Sequence, residues 1–176
     1  MLPTKNSLSE NVRQKVIKLL QDRLAVSVDL MQQLKQAHWN VKGPNFIALH
    51  QLFDQIHEKI EINTDSLAER IAQLGGLPEG TCHAVSQATS LPEYPLTSTE
   101  ESDHIEALTT AMAMYGKLMR DGIEKAEALG DPGSADICVE IALNADKSLW
   151  LIESHSPTSR VQVTKTYRST VATAHQ

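Results

Sequence analysis

Apolar residues return every three or four positions through Val16, Leu19, Leu20, Leu24, Val28, Leu30, Met31 and Leu34, the spacing of one helix face. The first helix opens near Ser7–Ser9, where Ser7 and Glu10 fit an S-x-x-E capping box, and runs to about Ala37. Gly43-Pro44, within NVKGPNF at 40–46, breaks the period and predicts a tight connection. A second helix follows from about Phe46 to Leu74, where Gly75-Gly76 and Pro78 stop it. Residues 77–98 form the longest connection and carry a short helix over Cys82–Ala88. A second box, Ser98 to Glu101, opens a third helix that runs to about Leu129. In GDPGS, Asp131 reads as a cap and Pro132 as a first helical position, starting a fourth helix over about Ala135–Glu153. Residues 1–153 thus read as one all-α domain of four long helices, and 154–176 as a polar, Ser/Thr-rich tail without helical period.

Composition narrows the function classes. The chain has 176 residues, 41% hydrophobic and 22% charged, which fits one domain with a core of its own. Its net charge of −6 argues against nucleic-acid binding by bulk electrostatics. The tail runs the other way, holding Arg160, Lys165 and Arg168 and no acidic residue, so it is mildly basic. Cys82 and Cys138 are isolated, so neither a disulfide framework nor a zinc ribbon is expected. The first residues lack the apolar core of a signal peptide, and no apolar run of 18 residues follows. A cytoplasmic protein without a membrane partner is the expectation.

The second helix carries the chemistry. His50, Asp54, His57, Glu61, Asp65 and Glu69 recur at steps of three and four. At ~100° per residue they occupy one stripe, while Leu52, Phe53, Ile56, Ile60, Leu67, Ile71 and Leu74 gather on another side. The stripe therefore points away from the chain's own core. Two readings fit it: a solvated outer face, or ligands for an ion.

Spacing bears on the second reading. His50/Asp54 and Asp65/Glu69 are i, i+4 pairs, and ~22 Å of helix separates His50 from Asp65, so one ion does not touch both within one chain. Yet residues 50 and 69, and residues 54 and 65, share a midpoint between Lys59 and Ile60. A two-fold axis there lays the helix antiparallel on its copy, with His50/Asp54 facing the partner's Asp65/Glu69, twice. His38 and His50 are equidistant from Pro44, so a helical hairpin sets them level. Two imidazoles and three carboxylates make a shell of intermediate softness, suited to iron or zinc.

HWNVKGPNFIALHQLFD at 38–54, DSLAER at 65–70 and GGLPEGT at 75–81 resemble the Dps family, the miniferritins named as DNA-binding proteins from starved cells. The resemblance covers roughly residues 8–153. It implies a ferritin-like four-helix bundle with a long crossover carrying a short helix between helices two and three. It also implies a homododecamer built from two-fold dimers, oxidation of ferrous iron with hydrogen peroxide in preference to dioxygen, and storage of ferric mineral in a hollow cage. Protection against oxidative damage would follow. Carried over residue by residue, the ferroxidase ligands are His38, His50 and Asp54 of one chain with Asp65 and Glu69 of its mate. Trp39 matches an aromatic that the family places near the site, with packing as its other role. The alternative reading is a DNA-compacting or architectural cage whose metal sites are structural and hold zinc.

Other residues fit less closely. His57 and Glu61 lie nearest the axis and are not family ligands; inter-subunit hydrogen bonds or a further ion are their two roles. His83 lies in the long connection, and its spacing assigns it nothing. Glu101 and His104 form a single E-x-x-H, whereas bundle-core di-iron sites need that motif on two helices. Asp121, Glu124, Glu127, Asp131 and Asp136 crowd the Gly130 turn, as solvated charge or as the lining of a cation pore. DNA-binding members use lysine-rich mobile tails, and this N-terminus sets only Lys5 against Glu10. The three basic residues of the C-terminal tail would add weak, salt-sensitive attraction to phosphates, multiplied over an oligomer, and with it nucleoid association.

Overall fold

A computed structural model describes residues 1–156, so the predicted tail lies, beyond Ser156, outside the described residues. Five helices succeed one another: α1 Glu10–Asn40, α2 Phe46–Gln73, α3 Cys82–Ala88, α4 Glu101–Ala128 and α5 Pro132–Glu153. Among the described residues there is no strand, only one isolated bridge between Lys42 and Glu100. The all-α, ferritin-like arrangement is as expected. α1 lies along α2 and α4 along α5, and α1–α4 and α2–α5 contacts close the two hairpins into a bundle. The short helix of the crossover, α3, packs on α1.

The apolar stripes meet in one core. Leu20, Leu24, Leu30 and Leu34 of α1, Phe53, Ile56, Ile60 and Leu67 of α2, Met112, Tyr115 and Met119 of α4, and Ile141 and Ile152 of α5 are all buried within it. Each such side chain contributes about 1.5–3 kcal/mol by leaving water, the main term holding the helices together. A short polar thread crosses the core: the Tyr115 hydroxyl lies 3.0 Å from the Ser27 hydroxyl, itself 2.7 Å from that of Thr64.

Both predicted capping boxes are absent, for different reasons. Ser9, not Ser7, caps α1, its hydroxyl accepting from the Val12 amide at 3.3 Å. Glu101 does not fold back on its own helix; its carboxylate accepts from the Asn45 amide at 2.5 Å and from Asn45 Nδ2 at 2.9 Å. Asn45 begins α2 with no side-chain cap of its own, so a group from α4 does the work. The cap at Asp131 and the Pro132 start are as predicted, with the Asp131 carboxylate accepting from the Ser134 amide at 3.2 Å.

That crossing contact explains Gly43. Its φ is +146°, and a Cβ there would stand 2.7 Å from the Glu101 carboxyl carbon. Gly43→Ala is expected to cost about 1–3 kcal/mol through backbone strain and this clash, measured as a shift of the denaturant midpoint. An unchanged midpoint would show that the turn has another support.

Candidate metal centre

The end of α1 and the start of α2 stand level because the Gly43-Pro44 turn is short. His38 and His50 face each other there, rings stacked with centroids 3.6 Å apart and planes 20° from parallel. The His38 Nδ1 lies 2.8 Å from the His50 carbonyl, and the His50 Nδ1 lies 2.8 Å from the His38 carbonyl. The last carbonyls of a helix lack intrahelical partners, so His38 O, in the final turn of α1, is free to accept. Acceptance by carbonyls places a proton on each Nδ1 and leaves each Nε2 lone pair for a metal. Phe46, 5.1 Å from the His50 ring, closes one side.

One turn further, the Asp54 carboxylate is paired with Lys35 of α1. The hydrogen bond from Lys35 holds Asp54 below the usual carboxylate range, aided by the positive charge of Lys35. His57 is half-buried nearby; burial, then the Lys35 charge, push its imidazole below the ordinary value. Lys35 is the one member of this cluster that the sequence reading missed. A signal existed: reflection about Pro44 sets residue 35 level with residue 53, beside Asp54.

Asp65 and Glu69 are exposed on the outer face of α2, ~22 and ~28 Å along the axis from His50. Asp65 and Glu61 border a groove whose apolar wall is Leu24, Val28, Met31 and Pro78. Among the described residues, no three His, Cys, Asp or Glu side chains converge to hold a metal ion. A single chain thus presents two separated half-sites: an imidazole pair with Asp54, and a carboxylate pair.

The remaining candidates divide. Trp39 is 66% exposed, so within one chain it fills no packing role. His83 is exposed, its Nε2 3.1 Å from Gln87 Nε2. The E-x-x-H is not a pair: Glu101 turns to Asn45, while His104 is buried with Nδ1 2.6 Å from the Tyr94 hydroxyl. Asp131 is buried, held 2.8 Å from Arg70, and is a structural group rather than pore lining. Asp121 is shared by Arg23 and Lys125, whereas Glu124, Glu127 and Asp136 are exposed. Both cysteines are free; burial pushes the Cys138 thiol up to about 11, which keeps it inert.

His104 yields a pH prediction. Burial holds its imidazole below the ordinary value, against the pull of the Asn40 backbone and the Asp103 carboxylate. As pH falls through ~6.5 the unfolded chain binds this proton while the folded chain does not, so folding stability drops on the acid side. His104→Gln, which still accepts from Tyr94, is expected to lose less Tm between pH ~7.5 and ~5.5 than the parent. An equal loss would place the acid sensitivity elsewhere.

Comparison with known proteins places this geometry. A model of the ferritin-like domain matches residues 17–158. Over 152 residues the chain is 41% identical to the DNA protection during starvation protein of Agrobacterium fabrum, covering 86% of this chain and 94% of that one. It is 34% identical over 163 residues to the protein of the same name from Mycolicibacterium smegmatis, covering 93% and 88%. Among solved structures it superposes on Mycobacterium smegmatis Dps with a TM-score of 0.83 at 35% identity, over 87% of this chain and 93% of that one. Sequence and fold agree along nearly the whole described chain, and on that ground the chain belongs to the Dps family of the ferritin-like superfamily.

Proposed function

We propose that this protein is a miniferritin that oxidises ferrous iron at sites shared between two-fold-related subunits. His38, His50 and Asp54 of one subunit and Asp65 and Glu69 of its mate hold the iron, which is the substrate. Dimers of this kind build a dodecameric cage in which ferric mineral is stored. Two ferrous ions held together deliver two electrons to hydrogen peroxide, which takes up two protons and leaves as two waters, so hydroxyl radical is not released. Peroxide is the preferred oxidant and dioxygen the slower one.

The observation that carries this reading is the reciprocal His38–His50 pair, its Nδ1 atoms committed to backbone carbonyls. Buried or capping histidines have no need of that arrangement, whereas metal-ligating ones regularly show it. The A. fabrum and M. smegmatis relatives are named for DNA protection. For this chain we assign protection to the removal of iron and peroxide. None of the described helices is long and apolar enough to cross a membrane.

Anaerobic loading with ferrous iron, then peroxide, followed by ferric absorbance, tests the activity. Oxidation well above the protein-free rate is expected; a rate equal to it rejects the proposal. Lys35 should oppose loading, because its ammonium holds the Asp54 carboxylate and repels a cation. Lys35→Met is expected to tighten ferrous binding about threefold to tenfold in anaerobic calorimetry. Unchanged or weaker binding would show that Asp54 is not among the ligands.

A further inference from the structure

The turn that joins α1 to α2 is held from outside by a single distant stretch of the chain. Asn40 ends α1, and its backbone faces the buried His104 imidazole, whose Nδ1 lies 2.6 Å from the Tyr94 hydroxyl. In mid-turn the Lys42 amide donates to the Thr99 carbonyl at 3.2 Å. At the far side the Asn45 amide and side chain both donate to the Glu101 carboxylate. Residues between Tyr94 and His104 thus meet the turn at its start, middle and end.

Glu101 is the member that reaches α2. Its carboxylate supplies the cap that Asn45 does not make for itself, and it fills the space over Gly43 that a Cβ would need. No cation among the described residues pairs with it, so the carboxylate is given over to Asn45. His50 lies only five residues beyond Asn45, with the Leu49 amide bonded back to the Asn45 carbonyl at 3.0 Å. The two imidazoles orient each other through backbone carbonyls, each at 2.8 Å. Such bonds weaken steeply away from their geometry. A first turn of α2 that frays therefore displaces the His50 ring and removes the acceptor of His38 together.

We infer that Glu101 is a positioning residue for the metal half-site, aiming the His38 and His50 imidazoles by pinning the first turn of α2. It bonds to neither ring and acts through Asn45. The inference rests on the metal-binding function proposed above.

The test uses the full-length protein freed of metal, with cobaltous ion as the spectroscopic probe. Glu101→Ala removes both bonds to Asn45, and Glu101→Gln keeps an acceptor for the Asn45 amide. Ser9→Ala removes a cap at the far end of α1 and controls for lost stability alone. Visible absorbance reads cobalt affinity and ligand field; hydrogen exchange of the 45–50 amides reads the turn without metal. Glu101→Ala should weaken cobalt binding at least about tenfold, alter the absorption band and speed that exchange. Glu101→Gln should recover most of the affinity, and Ser9→Ala should match the parent in all three readouts. Parental affinity and band in Glu101→Ala overturn the inference alone, as does an equal loss in Ser9→Ala. A parent that binds no cobalt instead removes the metal-binding function, and the inference with it.

Discussion

Alanine at both His50 and Asp54 slows catalysed iron oxidation by at least about a hundredfold while leaving the fold intact. His50 has two tasks: its Nε2 is offered to iron, and its carbonyl fixes the ring of His38. Losing it therefore disarms both imidazoles. Asp54, one turn from His50 on α2, supplies the carboxylate of the same half-site. Both residues are half-buried on the outer face of α2, so their loss opens no cavity and the melting temperature should barely move. The informative partner is Asp65→Ala with Glu69→Ala. It lies ~22 Å or more from the imidazoles in its own chain and should nevertheless abolish oxidation to the same extent. Stopped-flow ferric absorbance after anaerobic loading measures both. A large loss in the first variant with none in the second would mean that the carboxylate pair is only a wet surface.

Asp131→Ala is expected to destabilise the protein by about 3–5 kcal/mol, an effect on folding rather than on iron. The carboxylate caps α5 through the Ser134 amide, accepts from the Ser134 hydroxyl at 2.5 Å and pairs with Arg70 at 2.8 Å. Arg70 also donates from Nε to the Ser134 hydroxyl at 3.0 Å, so the end of α2 is pinned to the α4–α5 turn. Removing the carboxylate strands a mostly buried guanidinium and uncaps a helix at once. Asp131→Asn keeps a capping oxygen and should cost less. Denaturant unfolding of the two variants measures the difference. Iron uptake that falls in Asp131→Ala while stability holds would instead make Asp131 a pore residue.

How much of this was legible in the chain depends on the range of each contact. Helical period and the Gly43-Pro44, Gly75-Gly76 and Gly130–Ser134 breaks are local, and they placed both ends of α2 and the end of α4 almost to the residue. The caps were harder. Ser7 and Ser98 satisfy the S-x-x-E pattern, but the pattern carries no information about where a glutamate is needed. Glu101 is drawn across the bundle by the uncapped start of α2, a contact 56 residues away in sequence.

The half-sites divide in the same way. Reflection about Pro44 put His38 level with His50 because the hairpin is short and nearly straight, and the rings are indeed in contact. Lys35 obeys the same reflection, but a lysine is not a metal ligand, so a search for ligand types carries no signal for it. Asp121 and Asp131 looked equivalent as acidic residues beside a turn. Only their depth separates them, one partly exposed and shared by two cations, the other buried beneath Arg70. Depth depends on which helix lies above a residue, and a single helix's sequence does not record that.

Mixing tests the shared site most directly. Chains carrying His50→Ala and Asp54→Ala are unfolded together with an equal amount of chains carrying Asp65→Ala and Glu69→Ala, then refolded. Each parent variant is inactive, but a mixed dimer rebuilds one intact site from the good halves of two different chains. Random pairing makes half the dimers mixed, each with one of its two sites restored, so about a quarter of the wild-type oxidation rate should return. A mixture as inactive as its components would contradict the account, because the ligands would then have to come from one chain.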